Sequence, residues 1–546
     1  MAILFTRWQT NRLSVALFII LAASLISSLF FKERWLWMDE VSSYVLLSDA
    51  SLAHANKAVV SGLEANPPLT MNAYWLLGHG ISMSPLFLRS CSVLFFALTV
   101  ALFYRYITVL LGRPVANFVV LTVFVGLTYL NFTLATQVRS YALFSLLHLL
   151  FFLNSHRLTT APTRLRLLLL EVGLGTAVVY AHNFGLLYAA TMGAFFFCLM
   201  LWSRRWQYLR VLGALVAVAG IWFVGWFANF QLQAQIGKPH SWIPLPTFRS
   251  FFYTVGDLLP TVSANLEAKP YLQFLPMLRV AAIVGLIVYL ALPRLRQGYA
   301  DLVKDPAALF FLQASFVALG TTVLTLAASF TVASVFLNRY MWPNHLLFAA
   351  VVLYAYHHFF RAGTVPGRQV WLPAYAVLLL PFIFCQNRKL TIFPSMILRP
   401  LMGLNPQYPM FFESADYFLP IWYQHLRPNT YFLLDWPAAL KSPTMSSTID
   451  YGIIVSLRDI YHVAQVVRLP EFNSQRFPHF YVMDQRSHYQ IEEFLETGQV
   501  RVVRTILTGI DGHQILECTF TGVPAPVSTG NPGPPPPSIG RWPSPH

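Results

Sequence analysis

Several short motifs hold the polar residues of this chain that could do chemistry. Trp37-Met38-Asp39-Glu40 sets two acids beside two tryptophans. Asp39 follows the first apolar run by about eight residues. At a lipid–water boundary, partial desolvation raises a carboxylate's proton affinity and suits it to general-base work. The plainer alternative is a solvated acid pair next to Arg34. Glu64-Ala65-Asn66-Pro67-Pro68-Leu69 stops one helix, holds Asn66 extended and starts the next helix with proline in its first turn. It reads either as a loop breaker or as a fixed corner presenting Glu64 and Asn66. Gln137-Val138-Arg139-Ser140-Tyr141 and Asn338-Arg339-Tyr340-Met341-Trp342 each join an arginine to a tyrosine at the start of an apolar run. Such arginines either snorkel or bind an anion, and phosphate suits the two-donor guanidinium fork. His182, in Tyr180-Ala181-His182-Asn183, is a polar turn residue or a further contact to a sugar or phosphate.

These motifs need a scaffold, and composition names it. Of 546 residues, 56 % are hydrophobic and 11 % charged, with a mean hydropathy of +0.55. A globular chain carries about 25 % charged residues, so most of this surface must face lipid. Apolar runs predict about eleven membrane-spanning helices, at 13–31, 86–111, 114–134, 136–154, 166–181, 183–202, 208–230, 271–293, 307–330, 341–360 and 369–387. The first is too long for a signal peptide and lacks a small-residue cleavage site. The net charge of +15 does not mark a nucleic-acid binder, because the basic residues cluster between apolar runs. Arg7, Arg12, Arg113, Arg157, Arg164, Arg166, Arg204, Arg205, Arg210, Arg294, Arg296, Lys304, Arg361 and Arg368 all fall on alternate connections. The positive-inside rule then places the N-terminus in the cytoplasm and every motif above on the outer side.

Two outer loops are long, 32–85 and 231–270, the second holding Trp242. In the first, 41–63 could lie in the membrane surface. Residues 391–408 read as a linker, 409–522 as an extracytoplasmic α/β domain, and 523–546 as a disordered Pro-rich tail. In the α/β domain the expected strands are Thr430–Leu434, Gly452–Ser456, His479–Met483, Val500–Thr508 and Gln514–Phe520, with helices at Ala415–Leu426 and Tyr489–Glu496 and a hairpin turn at 509–512. Cys91, Cys198, Cys385 and Cys518 are scattered, without metal-ligand spacing or a disulfide framework.

In their order along residues 10–390, Asp39-Glu40, Asn66-Pro67-Pro68-Leu69, Leu88-Arg89-Ser90, Arg139-Ser140-Tyr141-Ala142-Leu143, Tyr180-Ala181-His182 and Asn338-Arg339-Tyr340 resemble the GT-C glycosyltransferases. The chain is most similar to the bacterial relatives of protein O-mannosyltransferases and of the lipid A aminoarabinose transferase. The resemblance implies a GT-C-type module over 1–390 in an inner (plasma) membrane of bacterial type. It implies a hexosyl or pentosyl transfer from a polyprenyl-phosphate carrier to a protein, lipid or envelope glycan. Asp39 takes the role of base, with Glu40 beside it, while Asn66, Arg139 and Arg339 correspond more loosely to residues that hold carrier phosphate. Glu64, Tyr141, His182 and Tyr340 join that set by position. Two departures stand out: Asn66 occupies the place of a histidine or lysine, and Gln137 that of a carboxylate.

A single inverting displacement needs a base on the acceptor side and positive charge beside the leaving phosphate. No cofactor is required and no Gly-rich phosphate loop is present; a divalent metal through Glu40 or Glu64 is not expected. Two competing classes share the membrane setting. A lipid-linked sugar transporter or flippase should place ionisable groups near mid-membrane, and Glu171 and Arg279 are the only candidates. An O-antigen-type ligase or polymerase shares the carrier, but not the early Asp-Glu pair and Pro-Pro corner.

Overall fold

The computed structural model describes residues 2–31, 35–237, 243–261, 272–360, 397–442, 447–485, 491–510 and 512–522. The expected span 369–387, Lys32-Glu33-Arg34, Trp242 and the tail from 523 lie outside these residues.

Each other expected span is a helix or a helix pair. Among the described residues, six helices are long and apolar enough to cross a membrane: Gln9–Phe30, Pro85–Leu111, Gly185–Ser203, Trp206–Gln235, Leu275–Arg296 and Pro306–Thr331. Local chemistry starts several of them. Ser84 accepts a hydrogen bond from the Phe87 amide ahead of Pro85, and Asp305 accepts one from Ala308 ahead of Pro306. Valines and leucines stay bare on the outer faces, with Val224 88 % exposed, as lipid-facing side chains are. Tyr141–Leu158, Leu165–Ala181 and Asn344–Phe359 occupy three more expected positions.

The run expected as one span at 114–134 is broken. Pro114–Leu127 and Tyr129–Ala135 meet at a 75° bend around Thr128. After the second piece the chain stays non-helical from 136 to 140, the stretch that holds Arg139. Irregular backbone survives at such depth only where neighbouring groups satisfy it. Here Ser92 donates to the Gln137 carbonyl at 2.6 Å, and the Val138 amide donates to Glu40 at 3.2 Å.

The first long loop is mostly helical. It comprises α1 (Met38–Leu47), α2 (Leu52–Ala58), a π-turn at Val59–Leu63, and α3 (Leu69–Gly80) directly after the double proline. Gly62 sits at φ +109°, a conformation open to glycine and strained for other residues, and it turns the chain so that Glu64 points inward.

Among the described residues, the C-terminal domain holds one six-stranded sheet. Its strands are β1 (Met410–Phe412), β2 (Thr430–Leu434), β3 (Val466–Arg468), β4 (His479–Gln485), β5 (Val500–Leu507) and β6 (His513–Phe520), in the order β3-β2-β1-β4-β6-β5. The first four pair in parallel, while β6 runs antiparallel to both β4 and β5. One expected strand is wrong: Gly452–Ser456 lies inside α5 (Ser447–Asp459), the helix that follows α4 (Ala415–Tyr423) among the longer helices of this domain. The β-branched run at 453–455 misled the reading. Ile454 and Leu457, one helical turn apart, are the residues buried against the sheet. Within the expected linker, Leu398–Met402 is helical, and Arg427 donates to the carbonyls of Leu401 and Asn405.

The sheet domain does not hang free of the helices. Phe412, Phe418, Phe432 and Ile454 share one apolar core with Val41, Tyr44, Leu46 and Leu63 of the first loop. Polar contacts fix the register. Gln424 exchanges two hydrogen bonds with the Leu36 backbone at 2.8 and 3.0 Å, Tyr423 meets Ser48 at 2.9 Å, and Tyr461 donates to Asp49 at 3.0 Å.

Candidate active site

Two buried ion pairs form a floor. Asp39 and Glu40 occupy the first turn of α1, where adjacent side chains diverge by about 100°. Glu40 is fully buried and receives both arms of Arg89, at 2.9 and 2.5 Å, as well as the Val138 amide. Glu64, which lies just past the turn at Gly62, receives Arg139 at 2.5 and 3.3 Å and the Asn66 side chain at 2.9 Å. Arg139 also donates to Ser43 and to the Asp39 carbonyl, each at 3.1 Å. The Pro-Pro corner is tied down on its other side: Asn183 donates to the Ala65 carbonyl at 2.9 Å, and Thr70 donates to the Ala181 carbonyl at 3.2 Å.

Beside this floor the charges are only half closed. Arg339 reaches the Asp39 carboxylate with a single contact of 3.3 Å, and the two side chains stay 19 % and 17 % exposed. Arg339 sits in a short 3-10 turn, Asn338–Met341, pinned by Asn338 donating to Asp257 at 2.7 Å. Trp342 then donates to Asn131 at 2.7 Å, which anchors the following residues in the helix layer. The guanidinium lies 5.5 Å from the centre of the Tyr340 ring. His182 packs between the Phe144 and Tyr340 rings, 5.0 and 5.3 Å away. Its Nδ1 accepts from the Phe184 amide, while its Nε2 and the Ser140 hydroxyl are buried without hydrogen-bond partners among the described residues. Burial, followed by the charges of Arg139 and Arg339, pushes His182 well below the usual histidine range, so the ring is neutral.

The sheet domain supplies the other wall. Asp416, in the first turn of α4, keeps solvent access although protein surrounds it, as a carboxylate lining a cleft does. Burial and then the neighbouring Asp39 push its carboxyl up to about 6, with Arg339 opposing. Asp450 stands behind it, accepting from the Ala415 amide at 3.2 Å. Burial, then Asp416 and more weakly Asp39, hold Asp450 well above the ordinary carboxylate range.

The residues singled out in the sequence therefore converge at one end of the helix layer, with different fates. Asp39, Arg339 and Tyr340 border the open part, beside Asp416 of the sheet domain. Tyr141 and His182 are buried close behind, within electrostatic or ring contact of the two arginines. Glu40, Glu64 and Asn66 are turned into the floor, and Arg139 spends its charge on Glu64. Glu40 and Glu64 each form a buried ion pair with an arginine. Asp416 and Asp450 escaped notice in the sequence, where each is one acid among ordinary domain residues with no motif around it.

No protein-family profile matches the chain, and no curated protein sequence matches it. Solved structures do. The crystal structure of ArnT from Cupriavidus metallidurans bound to undecaprenyl phosphate superposes with a TM-score of 0.52 and 12 % identity, over 94 % of this chain and 99 % of that one. The apo form of the same protein gives 0.53 and 13 %, over the same shares. The chain shares the fold of ArnT. The likeness runs through both the helix layer and the sheet domain, since the shared part covers nearly all of each chain.

Proposed function

We propose that this chain is a membrane glycosyltransferase that moves a sugar from a polyprenyl-phosphate carrier to an acceptor, at the outer face of a bacterial plasma membrane. The observation that carries the reading is the half-open pair of Asp39 and Arg339, a carboxylate and a cation side by side, both partly exposed, next to Asp416 of the sheet domain. A GT-C neighbour that binds undecaprenyl phosphate supports the carrier class.

The chemistry assigns the roles. The acceptor hydroxyl gives its proton to Asp39 as its oxygen bonds to the anomeric carbon. The bond from that carbon to the carrier phosphate breaks, and its electron pair leaves with the phosphate. Arg339 stabilises the negative charge that develops there. Such a single displacement inverts the anomeric centre. Arg139, already neutralised by Glu64, acts through position: it holds the Asp39 carbonyl and Ser43, and so sets where α1 begins. Neutral His182 and Tyr340 offer an aromatic and polar wall for the sugar or phosphate.

The test is transfer from a synthetic polyprenyl-phosphate sugar to a native envelope extract, using purified protein. Asp39→Asn keeps the shape and removes the proton acceptor, so turnover should fall about 10²-fold or more while carrier binding stays intact. Near-normal turnover by this variant would reject Asp39 as the base.

A further inference from the structure

The sheet domain holds a second group of carboxylates, built by its topology. From β1 the chain passes through α4 to β2 on one side, while β4 later joins β1 on the other side. Parallel strands that part in this way open a crevice beyond their C-terminal ends, the usual ligand site of such sheets. The register pairs Phe412 with Met483, so the next residues, Glu413 and Asp484, stand abreast at that crevice. Glu492, at the start of the short helix Glu492–Glu496, completes the group.

We propose that Glu413, Asp484 and Glu492 bind one hard divalent cation, Ca²⁺ foremost. One oxygen from each of the three lies within 4.8 Å of the others. An ion with bonds of about 2.3–2.6 Å spans roughly 5 Å between opposed ligands, so Ca²⁺ fits within this group. The donors are all oxygen, with no imidazole or thiolate, which selects the same class of metal. An independent sign is Glu413 itself. It is 2 % exposed; one of its oxygens accepts from the Gln485 amide at 3.1 Å, the Ile491 amide lies near the carboxylate, and Oε1 is buried with no hydrogen bond of normal geometry among the described residues. A buried carboxylate oxygen without a donor is a costly arrangement unless a cation meets it. Among the described residues, neither Glu413 nor Asp484 forms an ion pair with a basic side chain. Asp484 is oriented by Gln514, which donates to it at 2.5 Å, as second-layer groups orient metal ligands.

The experiment uses the full-length protein in detergent, stripped with EDTA and titrated with CaCl₂ by calorimetry, with melting followed in parallel. Wild type should bind one Ca²⁺ per chain, with Kd of about 10⁻³ M or tighter, and melt at a higher temperature when loaded. Glu413→Gln and Asp484→Asn should each weaken binding about tenfold or more. Without metal, both should melt no lower than wild type, because each removes one of three mutually repelling charges. Absence of saturable Ca²⁺ binding by wild type would overturn the proposal. So would unchanged affinity in both variants, since the ion would then sit elsewhere.

Discussion

The floor of the cleft and its open side are built from the same residue types, acids facing arginines, and differ in how completely the charges close on each other. In the floor, Glu40 and Glu64 each take two arms of an arginine, and a further donor, with almost no exposure. At the open side, Arg339 touches Asp39 once, at 3.3 Å, and both retain solvent access. A closed pair has no capacity left for a substrate. A half-open pair can trade its partner for a phosphate or a hydroxyl without first losing a full set of hydrogen bonds. Adjacency in sequence does not decide the matter: Asp39 and Glu40 are neighbours, and the helix sends them to opposite situations.

The largest expected effect breaks the closed side. Removing one member of a buried ion pair leaves an uncompensated charge and costs about 3–5 kcal/mol, whereas replacing both by apolar groups is often near neutral. Arg89→Met should therefore lower the melting temperature sharply. Adding Glu40→Leu to it should recover part of the loss, the remainder reflecting the Val138 amide left without its acceptor. If Arg89→Met alone melted like wild type, the floor would not be the structural element described here.

The next effect breaks the open side. Arg339→Ala should leave the melting temperature nearly unchanged and slow transfer about 10²-fold, in line with losing one preorganised charge at a developing oxyanion. Arg339→Lys should restore only part of the rate, since a single ammonium cannot give the two parallel donors of the fork. The opposite pattern, lost stability with normal turnover, would place Arg339 with the floor instead.

Much of this arrangement is legible in the sequence because membrane chemistry punishes exceptions. Arg139 and Arg339 stand out at the ends of apolar runs, and the double proline marks the corner before α3. What stays hidden is pairing. No spacing rule tells that Arg89, 49 residues beyond Glu40, closes on it. Nor does it tell that Glu64 meets Arg139, because the inward turn at Gly62 that delivers Glu64 depends on a backbone angle rather than on composition. In the sheet domain, three-residue strands such as β1 and β3 are too short to show a period, and β1 is the strand that carries Glu413 and Asp416 to their places.

The smallest effect sharpens the comparison by asking whether the sheet domain belongs to the open side. Asp416 faces Asp39 and Arg339, with Asp450 behind it, and burial followed by the charge of Asp39 pushes its carboxyl up to about 6, above the free aspartate value near 3.9. A carboxyl whose folded value is raised binds its proton more tightly in the folded chain. Its stabilising share is thus fully present below the unfolded value and is lost as pH rises through the folded one. Wild type should accordingly lose melting temperature between about pH 4 and pH 6 through this group, whatever the other carboxyls add. Asp416→Asn cannot ionise, so the same measurement should show a shallower fall, while turnover changes by about tenfold or less, the worth of one hydrogen bond. The informative quantity is the difference between the two melting profiles, because Asp450 and the rest of the protein contribute to both. Superimposable profiles would mean that Asp416 does not sense Asp39, and that the sheet domain covers the cleft without taking part in its electrostatics.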